Sequence, residues 1–488
     1  MKDLWKNGLL PKILLLGIVI ALLGLMPFSK EVASSLEQAR RAQKSGDLAA
    51  VAANLASVAE QQPWRIGFWQ SAAEAALAAN DPQSAGVYFA RAASKGELSA
   101  DGYLFWGDAD WQTDSPLTAL QIWSIASRLG VAPAETLPRE AEVYRALGDD
   151  RTLIENLRAQ ITLIQQGGLT IDDRPSSAVS QLYLELGLLL AAYDPAAAPA
   201  YLLPAAELNP GLDAQIRNLN FTIQRELSKN DPVYLLTASG RALANQGRWD
   251  LAEKAFSNAT ELQPEYAEAW AYLGEARQHT GSGSEALSAL QRALELDPQS
   301  VAANTFMALY WQRQEEPEVA LDYLERALEL DPQNPSFLVE IGNLTALLGD
   351  LAAGQEYYWQ AITLQPNDPR YVREFLKFSL RYNLNLQEVA LPLARQLVIA
   401  NPEDPASQDV MGEVLFRLGD LLNAERFFLR ALDYDPGFDQ AHLHLGALYH
   451  LQGKPNLARD QYNQVLELTS NDQTYSQAQE ALDEYFSP

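Results

Sequence analysis

Cysteine is absent from this 488-residue chain, and histidine and methionine occur only four times each. Without cysteine there is no disulfide framework, no thiol nucleophile and no thiolate ligand for zinc or an iron–sulfur cluster. A glycine-rich phosphate loop, an HExxH pair and a Ser/His/Asp context are also missing. His442, His444 and His450 lie close together, but His442 and His444 are two apart and do not share a helical face. No carboxylate at ligand spacing completes a metal set around them, so they read as packed or surface residues. Cations are scarce: 36 Lys+Arg stand against 63 Asp+Glu, a net charge of −27. Such a field repels nucleic acid and anionic lipid and favours solubility. Among so many carboxylates, neighbours such as Glu315 and Glu316 fall together by accident, and none is assigned as a general acid/base couple. No metal, cofactor or catalytic residue is expected.

Hydrophobic residues make up 48% of the chain, which excludes a disordered polymer. The length exceeds one ordinary core, so several domains or a solenoid are required. The prolines decide between them. Pro264, Pro298, Pro332, Pro366, Pro402 and Pro436 are separated by 34, 34, 34, 36 and 34 residues. Twelve residues before each stands a small residue: Ala252, Ala286, Ala320, Gly354, Ala390 and Ala424. Five before each stands Ala259, Ala293, Ala327, Ala361, Leu397 or Ala431, and a glycine recurs at Gly240, Gly274, Gly342, Gly412 and Gly446. Columns in phase over many units specify a stacked repeat architecture. Small residues let two helices approach closely, and each proline ends a helix because it lacks an amide hydrogen and clashes with the preceding turn.

The 34-residue period, the phrase Trp270-Ala271-Tyr272-Leu273-Gly274, then Ala286, Ala293 and Pro298, with Phe256 and Phe428 at the aromatic place, resemble the tetratricopeptide repeat family. The resemblance implies an all-α, right-handed superhelical solenoid of stacked helix–turn–helix units. It is strong over 233–472, where seven units start near Val233, Ala267, Val301, Pro335, Pro369, Pro405 and Asp439. The unit from Pro369 is two residues long, with the addition expected around 381–387.

Before this array, residues 1–12 are basic, and 13–28 are sixteen residues without a charge. That length lies between a cleaved signal's apolar region and a full helical span, and Lys12 and Lys30 flank it. Residues 1–30 therefore read as a signal anchor or transmembrane segment, with the basic end cytoplasmic and the rest outside the cytoplasm; cleavage of the signal would give a secreted protein. Lack of cysteine fits export. Residues 31–167 read as divergent repeats: Gly46-Asp47 and Pro63; Trp69, Ala85, Phe89 and Ala92; Trp106-Gly107, Ala119, Trp123 and Ala126; then Tyr144 and Gly148, with Leu153 and Gln160 in the small places. Residues 168–232 comprise a linker, a degenerate repeat carrying Tyr183, Gly187, Ala206 and Pro210 that is about one residue short, and a junction helix. Residues 473–488 read as a capping helix, since an end repeat needs its apolar face covered.

One charge pattern departs from the acidic background. Arg370, Arg373, Lys377 and Arg381 follow at spacings of 3, 4 and 4, which places them on one helical stripe. By the resemblance, first helices line the concave groove, where cations of some family members clamp a carboxylate; asparagine completes such clamps, and Asn343 is the nearest match here. Two readings stay open: the stripe holds an acidic or carboxylate-ended partner segment, or Arg373 and Lys377 pair with Asp409 and Glu413 on the next unit's first helix.

The composite expectation is a non-enzymatic, membrane-anchored or exported scaffold of the cell envelope, binding protein or peptide segments along its groove. A docking or regulatory subunit of envelope enzymes, or of polysaccharide export or secretion machinery, is the first alternative. A carbohydrate-binding module built on the aromatics Trp64 and Trp111 is the second. The sequence leaves the oligomeric state open.

Overall fold

The computed structural model describes residues 29–63, 67–96, 98–167, 176–469 and 471–486. The apolar segment at 13–28 and Trp64 lie outside these residues. Among the described residues no helix is long and apolar enough to cross a membrane. All their regular structure is helical, and it forms two compact units that divide between Asn220 and Phe221, inside the Asp213–Leu227 helix.

The first unit is built of antiparallel helix pairs: Lys30–Ser45 with Leu48–Gln61, Gly67–Ala78 with Pro82–Lys95, Ala100–Gln112 with Pro116–Arg128, Pro133–Leu147 with Asp150–Gln165, and Ser176–Tyr193 with Pro199–Leu208. The second holds seven more pairs, from Pro232–Ala244 with Trp249–Leu262 to Asp439–Leu451 with Pro455–Leu468, and ends with the Asp472–Phe486 helix. Second helices pack on their own first helix and on the next one. First helices also touch each other, as Ala267–Thr280 does Val301–Arg313, and Pro369–Tyr382 does Pro405–Arg417. They thus lie side by side as a layer over most of the unit.

One packing rule holds the pairs together. The glycine column lies under a large side chain sixteen residues later: a Cβ added at Gly240, Gly412 or Gly446 would come within 2.6 Å of Phe256, Phe428 or Tyr462. Each such ring is buried, a gain of about 1.5–3 kcal/mol. Ala73 opposes Phe89, Ala141 opposes Leu157 and Ala308 opposes Leu324 on the same spacing, and all six are buried. In the pair beginning at Pro369 the sizes are exchanged: Leu376 and Ala394, both at 0% exposure, share one core cluster. At Gly187 the covering side chain is Leu202, one residue early, with Cδ2 2.6 Å from an added Cβ. The small residue of that helix is therefore Ala205, whose carbonyl accepts from buried Ser180, and not Ala206.

The turn between paired helices follows a second rule. A left-handed residue recurs at Gly46, Asn80, Asp114 and Gly148, and again at Gly247, Gly281, Glu315, Gly349, Asn383, Gly419 and Gly453. An aspartate often follows as helix cap: Asp47, Asp81, Asp149, Asp350 and Asp420 each accept an amide hydrogen three residues on. Glu315, at φ 60°, holds this conformation at a cost of roughly 1 kcal/mol. The two additional residues of the Pro369 pair are absorbed here, by left-handed Asn383 and Asn385 and the π-helical turn Leu386–Ala390.

The chain's last described helix covers the final pair. Ala478 is fully buried, Gln440 donates to Thr474 (2.7 Å), and Tyr485 stacks on His450 at 3.8 Å.

Candidate functional site

The basic stripe lies on the Pro369–Tyr382 helix. Asp368 caps this helix, Pro369 opens it, and Phe375, Leu376, Phe378 and Leu380 bury its opposite face. The four cations have different surroundings. Arg370 is tied to the capping residue, 2.6 Å from Asp368, and its guanidinium holds that carboxyl below the ordinary carboxylate range. Arg373 is only 18% exposed and lies 2.8 Å from Asp404. Asp404 caps the Pro405–Arg417 helix, accepting the Ser407 amide at 3.0 Å and its hydroxyl as well. Lys377 is 58% exposed and pairs with Glu374 of its own helix at 2.9 Å. Arg381 is exposed, and among the described residues it has no ion-pair partner. Arg417 of the next first helix reaches the Leu380 carbonyl at 3.3 Å.

Asn343 sits on the preceding first helix, Pro335–Leu347, but its side chain is occupied. It accepts the Tyr358 hydroxyl at 2.6 Å and takes part in hydrogen bonding to Glu340, whose carboxyl is pushed up by burial. Of the two readings left open for the stripe, the internal pairing takes partners other than Asp409 and Glu413. Asp409, 7% exposed, bonds His444 at 2.8 Å, and Glu413 lies 3.8 Å from both His444 and Arg417. Register explains the difference. Arg373 stands near the start of its helix and meets the cap of the next unit rather than the middle of the next helix. His444 lies 35 residues after Asp409, one unit and one residue on, so adjacent first helices bring them together. Sequence reasoning left His444 among the ordinary histidines; the one-unit offset from an acid was the available signal.

Among the described residues no group of three or more His, Asp or Glu side chains can hold a metal ion. Among the described tryptophans of the first unit, Trp69 and Trp123 are buried, while the partly buried Trp106 stacks on Tyr103 and Trp111 packs against the Leu104–Trp123 cluster. What the first-helix layer of the second unit offers is a row of fixed ion pairs interrupted by exposed cations. Such a layer can recognise a partner segment by charge and shape.

The chain matches the family model of the tetratricopeptide repeat at residues 237–301, 307–369 and 410–473. A comparison with curated protein sequences gave no match. Among solved structures it is similar to yeast Tom70, at 14% identity over 93% of this chain and 96% of that one, with a TM-score of 0.42. A tetratricopeptide repeat protein from Parabacteroides merdae is similar at 15% identity over 51% and 99%, TM-score 0.43. Pseudomonas aeruginosa PilF is similar at 21% identity over 44% and 98%, TM-score 0.34. Proteins with these repeats are generally non-catalytic, protein-binding scaffolds. The likeness to the tetratricopeptide repeat family is thus shown for residues 237–301, 307–369 and 410–473.

Proposed function

We propose that the chain is a non-enzymatic scaffold of the cell envelope that holds acidic or carboxylate-ended segments of partner proteins along its first-helix layer. The observation that carries this reading is the exposure of Lys377 and Arg381 on that layer, in a chain whose net charge is −27. Arg370 and Arg373 belong to helix caps and contribute by fixing the face. Extended surface grows with each unit of a solenoid, which suits recognition of long segments. The basic residues Lys2, Lys6 and Lys12 before the uncharged stretch 13–28 support attachment to a membrane through residues 1–30, with the repeats outside the cytoplasm.

Affinity capture from the protein's own cells tests the reading. The wild-type chain should retain a partner that the Lys377→Glu/Arg381→Glu variant loses by about tenfold or more, the scale of two charge contacts. Equal capture by both would refute the site. Protease added to intact spheroplasts should digest the repeats, and full protection would refute the placement outside the cytoplasm.

A further inference from the structure

The outer layer of the second unit, made of second helices, carries a feature that groove binding leaves unused. Three residues before four of the six repeat prolines stands an exposed acid, Glu261, Glu295, Glu329 or Asp433, with Glu467 at the same place in the last unit. The column is broken in two consecutive units, by Thr363 and by Ile399, and Ile399 is 79% exposed. Beside this break opens a cleft of about 450 Å³ between the Pro317–Leu330 and Leu351–Leu364 helices. Leu328, Leu338, Trp359 and Leu364 supply apolar walls, and Glu356 and Gln360 stand at its edge. Trp359 is held in place by Phe375, ring to ring at 4.8 Å, and Phe375 is fully buried. The cleft wall is thus preformed. Its volume falls in the roughly 300–1,000 Å³ range of small binding sites.

The rim defines the occupant. Glu356 lines the cleft; Glu325 stands three residues before the lining residue Leu328, and Glu329 three before the lining residue Pro332, one helical turn in each case. All three are exposed, and among the described residues none of them is in an ion pair. An acidic segment of the kind proposed for the first-helix layer would be repelled here. We infer that the Trp359 cleft is a second docking site, which takes a partner segment carrying one large apolar side chain flanked by lysine or arginine. The apolar side chain fills the cleft, and the flanking cations meet Glu325, Glu329 and Glu356. The two layers would then select partner segments of opposite charge.

The absence of cysteine makes the test direct. Gln360→Cys places a single thiol at the cleft edge of the full chain, to be labelled with a polarity-sensitive dye. Three short synthetic peptides serve as probes: a central phenylalanine flanked by lysines, the same flanked by glutamates, and the lysine peptide with alanine replacing phenylalanine. A saturable dye shift is expected with the first, roughly tenfold weaker with either of the others. Glu329→Lys/Glu356→Lys should weaken the first peptide by a similar factor, while Lys377→Glu/Arg381→Glu should leave it unchanged. Equal binding of the phenylalanine and alanine peptides would reduce the effect to bulk attraction and overturn the site. So would absence of any shift, or a shift that follows the concentration of the chain itself without peptide, the mark of a second copy in the cleft.

Discussion

Replacing Trp123 by alanine is expected to lower the stability of the first unit by about 3–5 kcal/mol, the range for deleting a fully buried large aromatic ring. Trp123 has 0% exposure, and its indole N–H donates to the Leu104 carbonyl at 3.0 Å and to Asp108 at 3.2 Å. The deletion therefore leaves a cavity and removes both hydrogen bonds of the indole N–H. The cause lies in the opposite helix: at Gly107 an added Cβ would stand 2.3 Å from Trp123 Nε1, so the ring lies directly on backbone. Gly107→Ala alone should accordingly cost about 1–3 kcal/mol by overpacking. The pair Gly107→Ala/Trp123→Leu should cost less than its single changes combined, because Ala141 with Leu157 already uses that combination one unit later. Urea unfolding followed by far-UV circular dichroism measures wild type, Trp123→Ala, Gly107→Ala, Trp123→Leu and the double change. Additive costs would refute the pairing of glycine with ring.

The second large effect is a dependence on pH. Burial alone lowers the pKa of His444, but the Asp409 carboxylate at 2.8 Å, and Glu413 beyond it, outweigh burial and the opposing Arg417. The imidazolium is held up to about 9, against 6.5 for the free side chain. A group whose pKa is raised by folding stabilises most where both states are protonated. Its contribution is complete below pH about 6.5 and lost as the pH climbs through about 9, and it amounts to about 3 kcal/mol. The stability of the second unit should thus fall between pH 6.5 and 9. His444→Gln should remove most of that slope and lose its stability chiefly at the acid end. Urea midpoints at several pH values decide: parallel curves for the two proteins would show that His444 carries no such linkage.

The repeat was legible because its columns have a steric cause. Ala252, Ala259 and Gly240 are small for the same reason that Phe256 is large, and composition records that directly. The left-handed turn column was less visible, since a backbone conformation admits glycine, asparagine, aspartate and even Glu315. That column keeps the 34-residue period from Gly46 to Gly148, where the alanine columns had weakened. Charge partners were the least legible. Glu60 with Arg91, Asp108 with Arg139 and Arg373 with Asp404 are all 31 residues apart, a spacing fixed by how one helix meets the next and not by any single helical face. The stripe was therefore visible as a stripe, while the division of its cations was not.

That division is the claim on which the functional reading rests, and one comparison of melting temperatures tests it. Arg373→Glu sets a carboxylate against Asp404 and disturbs the cap of the Pro405–Arg417 helix, so it should lower the stability of the second unit by about 1–3 kcal/mol. Lys377→Glu/Arg381→Glu changes two exposed side chains and should stay within about 0.5 kcal/mol of wild type. A melting temperature lowered as far by the double change as by Arg373→Glu would contradict the account, because Lys377 and Arg381 would then belong to the structure of the array and not to its binding face.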